Sequence, residues 1–206
     1  MTIALDPPLL PTFEFETRFA RLGYRAIAGV DEAGRGPLAG PVVACAVVLR
    51  ESAEIDGVRD SKLLTPAERE RLVPIIFRAA RGVGVGIASQ AVIDRVNILG
   101  ATKLAMTRAL RRLRPPADFA LIDGRDALAR PLPTAAVVRG DQRSVSIAAE
   151  SIVAKVTRDF LMARYDRLYP GYGFARHKGY PTADHRAAIR RLGPSPIHRM
   201  TFRLLD

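Results

Sequence analysis

The chain has no tryptophan, one cysteine and three histidines in 206 residues, and aromatic side chains make up only 6%. A lone cysteine excludes an internal disulfide framework and fits a reducing compartment. Cys45 lies in the apolar run Pro41 to Leu49 with no histidine near it in sequence, so it reads as a small buried hydrophobe rather than a nucleophile. His177, His185 and His198 lack the tight spacing of metal-ligating histidines, and each is expected to be structural or substrate-adjacent. Long hydrophobic runs are missing too. The longest charge-free stretch, Pro37 to Leu49, falls well short of the ~20 residues a membrane-spanning helix needs. The opening Met1 to Asp6 has no basic segment of the signal-peptide kind, and a cytoplasmic protein is expected. There is no repeat, low-complexity tract or linker, which predicts a single domain over residues 1–206. Its first part, residues 1–16 with Pro7, Pro8 and Pro11, is expected to be a loosely ordered lead-in.

Negative charge is the other shortage. Thirty-two Lys and Arg stand against 21 Asp and Glu, a formal net charge of +11. Neutralising phosphates releases counterions, so this balance suits a nucleic-acid partner; a merely soluble basic surface is the plainer alternative. Hydrophobic residues at 48% and charged residues at 26% are ordinary for a globular fold and exclude a disordered chain.

What is present reads as alternating strands and helices. Arg25 to Asp31 climbs through Ala-Ile-Ala-Gly-Val into an acidic pair, and Val42 to Leu49 is β-branched and apolar enough to be covered on both faces. Thr65-Pro66 with Glu68 at capping-box spacing opens a helix whose stripe runs Leu72, Ile75, Ile76, Ala79, although Pro74 threatens its continuity. Gly82 to Ser89 reads as a third strand whose glycines allow close backbone approach, and Ala91 to Leu113 as a helix stopped by Pro115-Pro116. Asp118 to Asp123 and Ala135 to Arg139 are the fourth and fifth strands. A long helix over Ser144 to Tyr169 and a shorter one over Thr182 to Leu192 give a helical C-terminal part over about 144–206. The expected class is α/β, a mixed five-stranded sheet flanked by helices.

Three of these strands end at acids: Asp31-Glu32, Asp123 and, just beyond the fifth, Asp141. Carboxylates that converge at strand ends repel one another unless a cation joins them, and hard oxygen donors favour Mg²⁺ or Mn²⁺. Two such ions can activate a water and stabilise the leaving oxygen of a phosphodiester. Taken singly, Asp123 or Asp141 is also an ordinary turn former or solvated cap. Neighbours on a strand point to opposite faces, so Asp31 and Glu32 share a site only if the chain turns there. The run Gly34-Arg35-Gly36 offers such a turn and could present Arg35 to a phosphate or sugar.

With these residues assembled, the chain resembles ribonuclease HII, the bacterial type 2 ribonuclease H. The likeness rests on Ala28 to Val43, Asp60 to Leu63, Leu121 to Gly124, Gly140-Asp141, Ser151 to Asp159, His177 to Tyr180 and Pro196 to Arg199, in that order along the chain. The resemblance implies a ribonuclease H-like fold. It also implies an endonuclease that hydrolyses the RNA strand of RNA/DNA hybrids and cuts 5′ of ribonucleotides embedded in duplex DNA, leaving a 3′-hydroxyl and a 5′-phosphate. Asp31, Glu32, Asp123 and Asp141 match the family's catalytic acids, which hold two divalent ions when substrate is bound. Gly34, Arg35 and Gly36 match the motif that contacts the ribonucleotide 2′-hydroxyl through backbone groups. Tyr180 matches the tyrosine that stacks on the following deoxyribose. The 2′-hydroxyl is what tells RNA from DNA at one position.

Other residues carry weaker expectations. Lys62 is expected to hold a phosphate. Ser151, Lys155, Arg158 and Asp159 fall near one helical face; Lys155 and Arg158 are expected to reach the nucleic-acid backbone, with helix packing the alternative for Arg158 and Asp159. The Arg108 to Arg114 cluster reads as a solvated helix end. Glu150 stands where the family usually has a small residue, and the sequence leaves open whether it faces the site or solvent. The competing function is a catalytically inactive hybrid-binding protein. A dinucleotide site at Gly82-Val-Gly-Val-Gly fails, because no helix N-terminus follows those glycines at the needed spacing. A monomer is expected, and recruitment by a sliding clamp cannot be read from the tail Met200 to Asp206.

Overall fold

The computed structural model describes residues 10–51, 53, 55–125, 128 and 132–205. Strands β1 (Ile27–Ala33), β2 (Val42–Leu49), β3 (Ala80–Ala88), β4 (Phe119–Asp123) and β5 (Thr134–Val137) form one sheet in the order β3-β2-β1-β4-β5. β1 and β3 each run antiparallel to β2, whereas β1, β4 and β5 are mutually parallel. The expected mixed sheet is therefore observed. The helices are α1 (Glu14–Arg21), α2 (Pro66–Ala79), α3 (Gln90–Arg112), α4 (Val145–Leu168), α5 (Phe174–His177) and α6 (Ala183–Leu192).

Strand alternation divides the core. Ala28, Val30, Val42, Ala44, Ala46, Val48, Ala120 and Ile122 face α3, which brings Ala101, Ala105, Ala109 and Leu110 onto them. The small residues let α3 sit close. A Cβ at Gly84 would overlap the Ala109 carbonyl oxygen, and one at Gly86 the Ala105 carbonyl oxygen, so these strand glycines are where helix backbone meets sheet backbone. On the other face Cys45, Val47 and Leu49 pack under α2 and α4, through Leu72, Ile76, Ala148, Ala149, Ile152 and Val153. The first turns of α4 cross β1 at Gly29, where a Cβ would overlap the Ser146 and Ile147 backbone.

Several elements depart from the sequence reading. Residues 1–9 of the expected lead-in lie outside the described residues, but Glu14 to Glu16 belong to α1 and are ordered by long-range contacts. Glu16 Oε1 accepts hydrogen bonds from Ser144 Oγ at 2.6 Å and Ser146 N at 3.0 Å, and Phe19 stacks on Phe119 at 4.1 Å. The Thr65–Glu68 capping box forms, and α2 continues through Pro74 because that residue is on the exposed face, where water can serve the freed carbonyl. α3 is broken at Asn97, whose φ of 60° and ψ of 174° leave the helix; its Oδ1 then accepts from Gly100 N at 3.0 Å and caps the second part. Beyond Leu192 the chain is not helical. Residues 193–205 run as turns and loops, tied down by an isolated bridge between Ala39 and His198.

Candidate active site

The sheet opens where its central strands stop pairing. The β1–β4 ladder ends at Val30–Ile122, so Asp31 on β1 and Asp123 on β4 occupy the next positions on adjacent strands, both on the α4 face. β1 itself runs on to Ala33 without the turn that the sequence suggested, so Glu32 points to the opposite face. It still lines the cleft, where the β1–β4 pairing has ended. Asp31, Glu32 and Asp123 line a cleft of about 250 Å³ together with Gly34, Arg35, Gly36, Lys62, Ser151, Lys155 and Tyr180. Asp141 lies at its edge in a buried turn after β5. A larger groove of about 450 Å³ behind α1 contains none of these acids, so the chemistry belongs to the smaller cleft.

The acids are close enough to feel one another. Burial, then the charges of Glu32 and Asp123, holds the Asp31 carboxyl well above the usual carboxylate range. Burial also raises Glu32, against the pull of Arg35, whose guanidinium lies 3.4 Å from Glu32 Oε1. Asp123 is raised by burial and by Asp141, although its Oδ1 accepts from Gly140 N at 2.6 Å. Lys62 Nζ donates to Asp141 Oδ2 at 3.1 Å. Burial works against the Lys62 charge, but that hydrogen bond and the charges of Asp141, Asp60 and Asp31 more than offset it and raise the ammonium.

Among the described residues, no three acid, histidine or cysteine side chains already surround one point as an ion cage. Asp31 Oδ1 turns back to its neighbour, accepting from Glu32 N at 2.6 Å, and Asp141 faces Lys62. The donor set nonetheless fits a hard divalent ion: every donor is a carboxylate oxygen, and the mutual repulsion that raises Asp31 and Asp123 is what a cation relieves.

The remaining expected residues take different places. Gly34 has a φ of 101°, and a Cβ there would overlap the Arg158 side chain, so this turn needs glycine for both conformation and space. Tyr180 is half-exposed beside Gly36, its Cε1 3.8 Å from where a Cβ on that glycine would sit. Lys155 lines the cleft but donates to Asp159 Oδ1 at 2.7 Å, and Ser151 Oγ donates back to Ala148 O at 2.9 Å. Arg158 also lines the cleft, from beneath Gly34. It is 1% exposed, and its guanidinium donates to the carbonyls of Pro41, Lys178 and Ala39, so packing is the alternative the structure favours. Arg108 and Arg112 stay in reach of solvent, as expected of a helix end, while donating to Ile87 O and Val85 O along the free edge of β3.

Arg199 was not assigned a role by sequence reasoning, and it proves to be a hub. Fully buried, it donates to Gly40 O at 3.0 Å, Arg35 O at 2.9 Å, Gly34 O at 2.6 Å and Pro41 O at 3.3 Å. Among the described residues neither Arg199 nor Arg158 has an ion-pair partner, and burial lowers their pKa values to about 9 and about 10. The only signal for Arg199 was its place in Pro196 to Arg199, a charged residue closing a motif in a non-helical tail. The three histidines support the neighbouring loop: His185 Nδ1 bonds Tyr180 O at 2.9 Å, His185 and His198 meet at 3.1 Å, and His177 stacks on His185 at 4.3 Å.

A mixed five-stranded sheet of this order, crossed by a long helix and carrying acids on adjacent central strand ends, defines a ribonuclease H-like α/β protein. The family model described as Ribonuclease HII matches residues 28–205, and the chain belongs to the ribonuclease HII family. Ribonuclease HII of Geobacter sulfurreducens is 56% identical over 203 residues, covering 98% of this chain and 94% of that protein. The Archaeoglobus fulgidus RNase HII, solved as a PCNA:RNase HII complex, superposes with a TM-score of 0.74 at 25% identity, covering 88% of this chain and 97% of that one. Bst-RNase HIII, solved in complex with Mn²⁺, shares the fold with a TM-score of 0.69 at 21% identity, covering 87% of this chain and 67% of that one. The chain is thus a type 2 ribonuclease H, a hydrolase with endonuclease activity. Among the described residues no helix is long and apolar enough to cross a membrane.

Proposed function

We propose that this enzyme acts as a monomer on two substrates. It hydrolyses the RNA strand of RNA/DNA hybrids and cuts on the 5′ side of a ribonucleotide embedded in duplex DNA, leaving a 3′-hydroxyl and a 5′-phosphate. The observation that carries the reading is a shared cleft: the acids Asp31, Glu32 and Asp123 face the same space as the Gly34–Gly36 turn and Tyr180. Hydrolysis and sugar recognition are therefore within one nucleotide's reach of each other.

Asp31, Asp123 and Asp141 would hold Mg²⁺ or Mn²⁺, with Glu32 orienting or bridging. When bound, such ions supply a water of lowered pKa and stabilise the departing 3′-oxygen. Lys62 neutralises Asp141 and adds positive charge where a phosphate enters. The backbone of Gly34 to Gly36, bare of side chains at both ends, approaches the ribose closely enough to bond its 2′-hydroxyl. Tyr180 lays a half-exposed ring against the next sugar. Lys155 screens the phosphate backbone beyond it. The excess of positive charge, +11 overall, draws the duplex to this face.

The test is cleavage of a labelled DNA duplex containing one ribonucleotide, with Mn²⁺ or Mg²⁺ and an all-DNA control. A single cut 5′ of the ribonucleotide, absent from the control, is expected. Cutting of a long hybrid alone would remove the roles given to Gly34–Gly36 and Tyr180. Binding without cutting either substrate would leave a hybrid-binding protein.

A further inference from the structure

Helix α4 carries one acid that none of these roles uses. Glu150 is 0% exposed, and neither of its carboxyl oxygens has a hydrogen-bond partner among the described residues. Each of the neighbouring acids has one: Asp31 the Glu32 amide, Asp123 the Gly140 amide, Asp141 the Lys62 ammonium. The surroundings locate the orphan group. One turn earlier α4 touches β1 at Gly29, and the following residue, Ser151, lines the cleft. Asp31 is paired across the ladder with Cys45; the charge of Glu150 acts on Cys45, and that of Asp31 on Glu150. The carboxyl therefore lies between helix and sheet, behind the acid cluster. Burial, then the charges of Asp31, Asp123 and Glu32, pushes it well above the carboxylate range; the Asp31 backbone amide offsets part of this without bonding either oxygen.

Packing does not account for such a group. Ala149 and Ala154, its neighbours on α4, fill the core with no polar atom to desolvate, and an unpartnered buried carboxyl opposes folding. A group that weakens the fold but faces a functional cluster is the pattern expected of a site residue.

We propose that Glu150 is a positioning residue of the divalent-ion site: a fifth carboxyl, standing behind Asp31, that strengthens cation binding by the acid cluster while lowering the stability of the metal-free fold. The inference rests on the metal-site reading given above. A divalent ion at the cluster would be the positive partner this carboxyl lacks, and in a low-dielectric layer the pair would attract without occupying the cleft that the substrate needs. Groups behind the direct ligands typically set metal affinity over a ten- to hundredfold range.

The experiment compares the wild-type enzyme with Glu150→Gln and Glu150→Ala, in two measurements made without substrate. Mn²⁺ binding is followed by the paramagnetic resonance signal of the free ion, and thermal melting is recorded on the metal-free proteins. Glu150→Gln, which keeps the shape, is expected to bind Mn²⁺ about ten- to hundredfold more weakly and to melt at the wild-type temperature or above. Glu150→Ala should weaken binding in the same direction. Mn²⁺ affinity of Glu150→Gln within about twofold of wild type would overturn the proposal, whichever way the melting temperature moved. A wild-type enzyme that neither bound Mn²⁺ nor cleaved a hybrid in a Mn²⁺-dependent way would overturn the metal-site reading itself, a failure visible before either variant is compared.

Discussion

On the α3 face of the sheet, helix backbone lies against strand glycines, and the buried residues between them are aliphatic, with Thr102 as a single buried polar residue among those described on α3. On the α4 face, across the same strands, the buried groups include Asp31, Glu150, Ser151 and Arg158. Both helices are long and both cover β1 and β2. The difference is what each can do when the strands end. The α3 interface is dry and closely fitted, so it fixes the strands and nothing else. The α4 interface is looser in chemistry, and its polar residues emerge at the sheet opening beside Asp123. A sheet buried on both faces can thus give one face to rigidity and the other to charge, which would otherwise destabilise a core on its own.

The sharpest way to break this contrast is to remove charge from one face and shape from the other. Asp123→Asn should leave duplex binding intact and lower cleavage by at least about a thousandfold, the several kcal/mol that metal-assisted catalysis supplies; gel-shift and single-turnover assays on one preparation decide it. Retained turnover with Mg²⁺ would remove Asp123 from the chemistry. Gly86→Ala should act in the opposite sense, because the new methyl overlaps the Ala105 carbonyl oxygen. A loss of about 1–3 kcal/mol in denaturant unfolding is expected, with the cleavage rate of the folded fraction unchanged.

Arg199→Lys tests the segment from Gly34 to Pro41 at the mouth of the site. One ammonium cannot replace a fork that serves four carbonyls, so about 1–3 kcal/mol of stability should be lost. Selectivity for a single ribonucleotide should fall more than cleavage of long hybrids, since Gly34 and Arg35 are among the carbonyls released. Equal losses on both substrates would make Arg199 a packing residue only.

The smallest expected effect is in pH. Burial holds the His185 imidazole down from 6.5 to about 4. The unfolded chain takes up a proton that the folded one refuses, so this contribution is present above pH 6.5 and is lost as pH falls toward about 4. Asp31 and Glu150 are raised and run the other way: the fold prefers them protonated, and stability declines as pH climbs from the ordinary carboxylate range through their raised values. Melting of metal-free Asn- or Gln-substituted proteins separates the two. His185→Gln should flatten the acid side of the profile between 6.5 and about 4, and an unchanged slope would place the proton elsewhere.

The same contrast explains what the sequence disclosed. The dry face was legible, because the glycine spacing in β3 and the continuous apolar run of β2 follow from local geometry. The acids were legible because each closes or follows a strand. The Thr65 capping box was legible as well, being complete within four residues. What escaped depends on partners far along the chain. The α1 helix is ordered by Glu16 reaching Ser144 and Ser146, more than a hundred residues away. Arg158 and Arg199 look like surface charges until their carbonyl partners at 34–41 are known. The direction of Glu150 was undecidable for the same reason: a residue's place on α4 gives a face of the helix, and only the packing of α4 on β1 says what that face meets.

One consequence of the paired arginines concerns measurement of length. Arg199 ties Gly34, Arg35 and Gly40, while Arg158 joins Ala39 and Pro41 to Lys178, two residues before Tyr180. The turn and the ring therefore hang on one buried frame, like the two jaws of a caliper. On the function proposed above, a nucleotide step would be accepted when its own spacing matched the gap between them.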